Sequence, residues 1–309
     1  MDFLNYLASN DLDKPVGKVI YTSLLTESGG VKCDLTITRL GEERFLVVTG
    51  GVMGLHDLNW IASKLPVGSD IEINDLSESM TAIGVWGPKS RDLLQKVSSV
   101  DLSNSAFPYM SSKMISINGI ECLALRISYV GELGWEIYGP MSKGQALWDS
   151  IYDQSGEFDI VPVGLAAFES LRVEKGYRLW GNELSTEYTP YESGIGFAVK
   201  LNKGDFIGRD ALIEHNRAGL KKILTCMTLD KQGVVVMGKE PIMFGNKCIG
   251  YVTSAAYGYS VDKGIIYGYL PVEYADEGRK LDVIYFGENY KVTVSAEPLF
   301  DPKNFRLKT

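Results

Sequence analysis

Histidine is nearly absent from this chain: His56 and His215 are the only two in 309 residues. A histidine-based triad or a histidine metal cluster is therefore poorly supported, and no metal is expected. Cysteine is sparse as well. Cys33, Cys122, Cys226 and Cys248 lie far apart, without the paired spacing of a zinc site or a redox dithiol. They read as buried, reduced thiols of a cytosol-like compartment. Positive charge is in deficit, with a net charge of −8 and a pI near 5.0. No basic run stands out, which argues against nucleic acid or an anionic membrane as partner. No apolar run approaches the roughly 18 residues that a membrane helix needs. The start, Met1-Asp-Phe-Leu-Asn-Tyr-Leu7, lacks the charged and apolar regions of a signal peptide. The expected location is cytoplasmic, or the mitochondrial matrix if the source is eukaryotic. A dinucleotide fingerprint is missing too. Ser193-Gly-Ile-Gly-Phe-Ala-Val199 lacks the third glycine and the strand–turn–helix context, so no flavin is expected in this chain.

What the chain does have is apolar substance, 45% of its residues, enough for two or three domains. Asp2 can cap a short helix carrying Phe3, Leu4 and Leu7. Strands are expected at 18–25, 34–39 and 45–49, separated by turns at Glu27-Ser-Gly-Gly and Gly41-Glu-Glu. A helix over 52–64 shows Leu55, Leu58 and Ile61 on one stripe, with His56 and Asp57 near its start, where capping is the simpler reading. Between 67 and 103, strands at 71–75 and 81–86 alternate with a helix at 89–96. The stretch 50–149 reads as one α+β unit. The clearest helix runs from Gly164 to Gly176, with Leu165, Phe168 and Leu171 as its apolar stripe and Gly176 as C-cap. Beyond a helix that ends near Gly219 the pattern becomes all-β. Six short strands, at 222–229, 240–244, 247–254, 265–270, 280–285 and 290–296, suggest a small barrel or jelly roll.

Two carboxylates stand out. Asp34 follows a Gly-Gly turn and opens the strand Leu35-Thr-Ile-Thr38; it closes the turn through backbone N–H groups, or it projects from a rigid sheet end. Glu136 lies in the apolar run Trp135-Glu-Ile-Tyr138, after a strand at 123–129 and a tight turn carrying Gly131, Glu132 and Gly134. Glu132 in the turn costs little. A charge at 136 must face solvent, pair with a cation or bind something that donates hydrogen bonds.

The motif Tyr129-Val-Gly-Glu-Leu-Gly-Trp-Glu136 resembles the Tyr-x-Gly-Glu-x-Gly-x-Glu signature of folate-dependent aminomethyltransferases. That family includes the glycine cleavage T-protein and the C-terminal parts of dimethylglycine and sarcosine dehydrogenases. Gly17-Lys-Val-Ile-Tyr-Thr22 and Gly29-Gly-Val-Lys-Cys-Asp34-Leu-Thr-Ile37 are similar to the same family, in the variants of the dehydrogenase branch. So are Thr189-Pro-Tyr-Glu192-Ser-Gly, Gly250-Tyr-Val-Thr-Ser254 and Leu299-Phe-Asp-Pro302, and the resemblance covers essentially the whole chain.

It implies an α+β, three-domain fold around a central folate cavity: residues 1–50 with 150–215, residues 51–149, and a C-terminal β-barrel or jelly-roll module at 220–309. It implies tetrahydrofolate as acceptor co-substrate and a small-molecule one-carbon donor. Glu136 would clamp the pterin, Asp34 would be the catalytic carboxylate, and Tyr21 and Tyr129 would contact the folate. Two departures, Phe168 where the glycine-cleavage branch carries an arginine and Gly50 where it carries an asparagine, point away from glycine cleavage itself. Arg172 and Glu192, inside a matched motif, read equally as members of a buried ion pair. Family members carry further residues before the point matching Met1, so the missing part of the pocket is expected from a fused or partner subunit, unless the chain is a fragment. The partner implied is a separate flavin-containing dehydrogenase or oxidase subunit. A non-catalytic folate-binding subunit, or a folate-dependent S- or O-demethylase, is the alternative on the same scaffold.

Overall fold

The computed structural model describes residues 1–234 and 236–309. A short helix, α1 (Asp2–Leu7), precedes an antiparallel three-stranded sheet of β1 (Val19–Leu25), β2 (Val31–Arg39) and β3 (Phe45–Thr49). Strand alternation divides the two faces of β2. Val31, Cys33, Leu35 and Ile37 are buried, the last three in a core with Leu7, Leu12, Ile20, Leu24 and Ile61. Lys32, Asp34 and Thr36 lie on the opposite face. Helix α2 (Gly54–Ser63) returns over the buried side through Ile61, while Leu55 of the expected stripe is 72% exposed. Its first turn has no side-chain cap, so His56 and Asp57 do something other than capping.

The second sheet is antiparallel, in the order β4 (Met80–Trp86), β7 (Gly134–Pro140), β6 (Ile120–Leu125), β5 (Ser112–Ile117). Helices α3 (Ser90–Val97) and α4 (Gly144–Tyr152) cover one face, burying Leu93, Leu94, Leu147 and Ile151 against Trp135, Ile137 and Ile115. The strand expected at 71–75 does not form. Its alternating pattern is real, but Ile71 and Ile73 remain exposed and the segment has no ladder partner among the described residues, and an isolated strand is not stable. Nor is the β6–β7 connection tight: eight residues, 126–133, separate the strands. Arg126 turns inward and donates to the Phe107 and Thr309 carbonyls at 2.8 Å each, drawing the chain away from a hairpin path. Glu132 is not a free turn residue either; it is largely buried and pairs with Arg306 at 2.8 Å.

After a single helical turn, α5 (Ser155–Phe158), helix α6 (Leu165–Glu174) packs its polar side inward. Ser170, Arg172, Val173 and Glu174 are buried, whereas Leu165 is 87% exposed and Phe168 and Leu171 are only partly covered, so the stripe expected to face a core does not. Arg172 donates to Glu183 at 2.8 Å with both side chains fully buried, and to Ser254 on the barrel at 2.7 Å. Glu192 makes no such pair; it accepts from the Thr189 backbone N–H and hydroxyl. Gly176 takes the left-handed conformation that ends the helix.

After α7 (Arg209–Ala218) comes a closed antiparallel barrel in the order β10 (Lys247–Gly258), β11 (Lys263–Pro271), β8 (Lys222–Leu229), β13 (Glu288–Val294), β12 (Lys280–Tyr285), β9 (Pro241–Phe244). Closure removes the sheet edges, and Met227, Ile242, Val252, Ile266, Val283 and Val292 fill the interior. A C-terminal turn of helix, α8 (Phe305–Lys308), supplies Arg306. Among the described residues no helix is long and apolar enough to cross a membrane. Cys33, Cys122 and Cys226 are buried and unpaired as expected, but Cys248 is exposed.

Candidate active site

The unburied face of the first sheet is set by register. Ser23 lies opposite Asp34 and Tyr21 opposite Thr36, so Tyr21 and Asp34 are diagonal neighbours on one face. The Tyr21 hydroxyl donates to Asp34 Oδ2 at 3.0 Å, and Phe197 stacks on the Tyr21 ring at 5.9 Å. Burial raises the Asp34 carboxyl to about 6; the Tyr21 hydroxyl pulls it down and the charge of Asp57 pushes it further up. Burial also raises the Tyr21 phenol well above its ordinary value, with Asp34 adding to the effect.

The second sheet presents Glu136 by the same alternation. Trp135 and Ile137 enter the core beneath α3 and α4, leaving Glu136 and Tyr138 on the other face. That face meets the first sheet, because Tyr138, Leu123, Leu125 and Ile127 pack with Val19 and Leu46. Glu136 accepts from the Tyr138 hydroxyl at 2.5 Å, and among the described residues its other oxygen has no partner. Burial raises its carboxyl and the Tyr138 hydrogen bond opposes that.

Aromatic side chains run from one carboxylate toward the other. Gly84 lies opposite Glu136 in the β4–β7 ladder, and the Trp86 indole covers Gly84 so closely that any Cβ there would strike the ring. Trp86 packs on Phe168 at 5.8 Å, Phe168 on Tyr129 at 5.4 Å, and Tyr129 on Tyr177 at 5.9 Å. Tyr129 is close enough to Asp34 that the carboxylate helps raise its phenol, after the larger effect of burial. Its hydroxyl is already committed to the Arg178 carbonyl, so it offers a ring face rather than a free donor. Arg178 is anchored in turn by both oxygens of Glu297, at 2.7 and 3.1 Å.

Asp34 and Tyr21 are thus in direct contact, Tyr129 is beside them, and Glu136 is reached through Trp86 and Phe168. Sequence reasoning missed Trp86 and Asp57. The glycine at 84 directly opposite Glu136 was the available signal for Trp86, since a missing side chain marks a close approach. Two surface hollows, of about 390 and 360 Å³, lie elsewhere, around Glu27, Lys64 and Ile207, and neither is lined by Asp34 or Glu136. Among the described residues no group of three or more His, Cys, Asp or Glu is placed to hold a metal.

A two-sheet α+β body carrying a closed six-stranded C-terminal barrel is the aminomethyltransferase fold. The glycine cleavage system aminomethyltransferase T from Bartonella henselae shares it, with a TM-score of 0.88 and 25% identity over 97% of this chain and 81% of that one. Residues 1–203 match the GCVT N-terminal domain and residues 221–301 the glycine cleavage T-protein C-terminal barrel domain. The chain belongs to the glycine cleavage T-protein family. It is 35% identical to the aminomethyltransferase of Thermoanaerobacter pseudethanolicus over 99% of its own length and 82% of that protein. It is 38% identical to human mitochondrial dimethylglycine dehydrogenase, again over 99% of its length, but spans only 36% of that relative.

Proposed function

We propose that the chain transfers a one-carbon group from an N-methyl amine donor (dimethylglycine, sarcosine or a glycine-derived aminomethyl group) to tetrahydrofolate. The observation that carries this reading is the aromatic path Trp86–Phe168–Tyr129, with Glu136, one oxygen of which has no partner among the described residues, at one end and Asp34 at the other. A reduced pterin presents a 2-amino group and a ring N–H side by side, and Glu136 has acceptor capacity to receive both. Charge-assisted bonds of this kind contribute about 1.5–3 kcal/mol. The aromatic faces supply stacking worth about 0.5–1.5 kcal/mol per ring pair.

Tetrahydrofolate supplies the nucleophilic nitrogens N5 and N10. Asp34 faces that end of the path, where its ionised carboxylate stabilises positive charge on an iminium donor and orients the attack. It acts by position and electrostatics, without a covalent link to the protein. Tyr21 fixes the Asp34 rotamer by its hydrogen bond. Making the iminium from an N-methyl amine needs a two-electron oxidant. We assign it to a separate flavin-containing dehydrogenase or oxidase subunit, consistent with the small fraction of dimethylglycine dehydrogenase that the chain spans.

Thermal stabilisation by tetrahydrofolate tests the reading, since a ligand at 100 times its Kd stabilises by about 2.7 kcal/mol. Glu136→Ala abolishes that stabilisation. Asp34→Asn keeps it but lowers transfer by about 100-fold or more. Full stabilisation in Glu136→Ala removes Glu136 from the site. Stabilisation of the parent without any turnover makes the chain a folate-binding subunit, and methyl- rather than methylene-tetrahydrofolate as product makes it a demethylase.

A further inference from the structure

Asp57 is 1% exposed and lies in the first turn of α2, yet caps nothing. A buried carboxylate without partners is expensive, and this one has two. Thr49 donates its hydroxyl to Asp57 Oδ2, and His56 Nδ1 lies 3.0 Å from Oδ1. On the far side of the ring, Lys32 Nζ is 2.7 Å from His56 Nε2. An ammonium has no acceptor, so Nε2 must accept, and the ring proton sits on Nδ1, directed at Asp57. The chain of donors therefore runs Lys32 to His56 to Asp57.

Both ends of this chain are tied to the strand that carries Asp34. Lys32 is two residues before Asp34 on the same face of β2, and Thr49 lies opposite Leu35, the next residue along, in the β2–β3 ladder. Tyr21 from β1 donates to Asp34, Lys32 shares its face of β2, and the charges of Asp34 and Asp57 and the Tyr129 phenol act on one another across this end of the sheet. Only one of these, Asp57, brings a second negative charge.

We infer that Asp57, held by Thr49 and by the Lys32–His56 pair, is a positioning residue of the Asp34 site: a second carboxylate whose charge, offset by Lys32 through His56, governs when Asp34 carries its own. This rests on the catalytic reading of Asp34 for its meaning in the reaction, though not for its electrostatics. Like charges disfavour each other's ionisation and a nearby cation favours it. Removing the Asp57 charge and removing the Lys32 charge must therefore act on Asp34 in opposite directions, which loss of packing alone would not produce.

The test follows the Asp34 carboxyl by carbon-13 NMR titration of the full chain, with Asp34→Asn to assign its signal, alongside the pH profile of transfer. Asp57→Asn moves the Asp34 midpoint and the acid limb down by roughly 0.5–1.5 pH units, and Lys32→Met moves both up. Lys32→Arg, which keeps the charge, restores most of the parent profile. Opposite NMR shifts without any change in the transfer profile support the relay and overturn the role of Asp34 in chemistry. Unchanged NMR midpoints in both variants, or shifts of the same sign, overturn the inference itself.

Discussion

Replacing Asp34 by Asn should stabilise the fold at neutral pH while it lowers transfer by about 100-fold or more. The Asp34 carboxyl stands at about 6 in the folded chain against 3.8 when freely solvated, chiefly because burial disfavours its charge. Between those values the native state binds more proton than the unfolded one, so stability falls as pH rises through that window and is flat above it. Holding Asp34 ionised at pH 7.5 then costs folding about 3 kcal/mol, of which about 2 kcal/mol is recovered by pH 4.5. Asparagine has almost the same shape, keeps an oxygen for the Tyr21 hydroxyl and carries no charge to desolvate. Urea unfolding should therefore show Asp34→Asn more stable than the parent by about 3 kcal/mol at pH 7.5 and by about 1 kcal/mol at pH 4.5. Carboxylates that do not couple to Asp34 titrate alike in both proteins and cancel in the difference; Asp57, which does couple, is relieved of a like charge in Asp34→Asn and so adds to the gap in the same direction. A gap that is negative, or equal at the two pH values, would show that Asp34 is not held against its desolvation, and the poised carboxylate in the mechanism would lose its physical basis.

Breaking the pair of fully buried charges at Arg172 and Glu183 should be strongly destabilising. Arg172→Met leaves Glu183 unpaired and should cost about 3–5 kcal/mol in chemical unfolding, with Arg172→Met combined with Glu183→Met costing less than either single change. Gly30→Ala places a Cβ well inside contact distance of the Thr186 carbonyl oxygen, a backbone atom that cannot rotate away, so it should lose roughly 1–3 kcal/mol and disturb the strand carrying Asp34; Gly50→Ala, which meets nothing within 4 Å, should be neutral. Tyr138→Phe deletes the hydrogen bond that holds the Glu136 carboxyl down, so stabilisation by tetrahydrofolate should disappear at a higher pH on acidification than in the parent. An unmoved pH midpoint would count against Glu136 as the acceptor.

Local pattern carried the sheet and the barrel. Strands β3, β8 and β12 begin and end where alternation and turn residues put them; β8 and β12 pair on both sides, and β3 pairs along its full length with β2, with neighbours whose inward faces share their period. Pattern failed where a ladder partner was needed and none existed, at 71–75, and where one buried guanidinium redirected the chain, at Arg126. Glu136 stood out as a charge in an apolar run and Asp34 as the residue after a Gly-Gly turn at the start of a strand, and the family signature singled out the same two; the structure carries that strand back to Val31, so Asp34 lies inside it rather than at its start. Asp57 was passed over because a carboxylate in a helix's first turn has an ordinary explanation. In the fold its two oxygens are turned to Thr49 and His56 instead of to the helix end.

Helix α6 shows why one of these failures is informative. By periodicity its apolar stripe belongs in a core, yet Leu165 and Phe168 lie on the side away from the barrel while Arg172, Glu174 and Ser170 are buried against it. A helix inverted in this way loses burial free energy, and the barrel side has to be satisfied by a charge network: Arg172 with Glu183, Glu169 and Ser254, and Glu174 accepting from Ser260. Departures of this kind from local consistency concentrate where function dictates the surface. Here the inversion delivers Phe168 into the aromatic path between Glu136 and Asp34, where a flat ligand needs a hydrophobic face. If that is its reason, Phe168→Ala should weaken stabilisation by tetrahydrofolate about tenfold in apparent Kd while leaving the unfolding free energy of the ligand-free chain nearly unchanged. A large loss of ligand-free stability with unaltered folate affinity would instead make Phe168 an ordinary packing residue and leave the inverted helix without a functional cause.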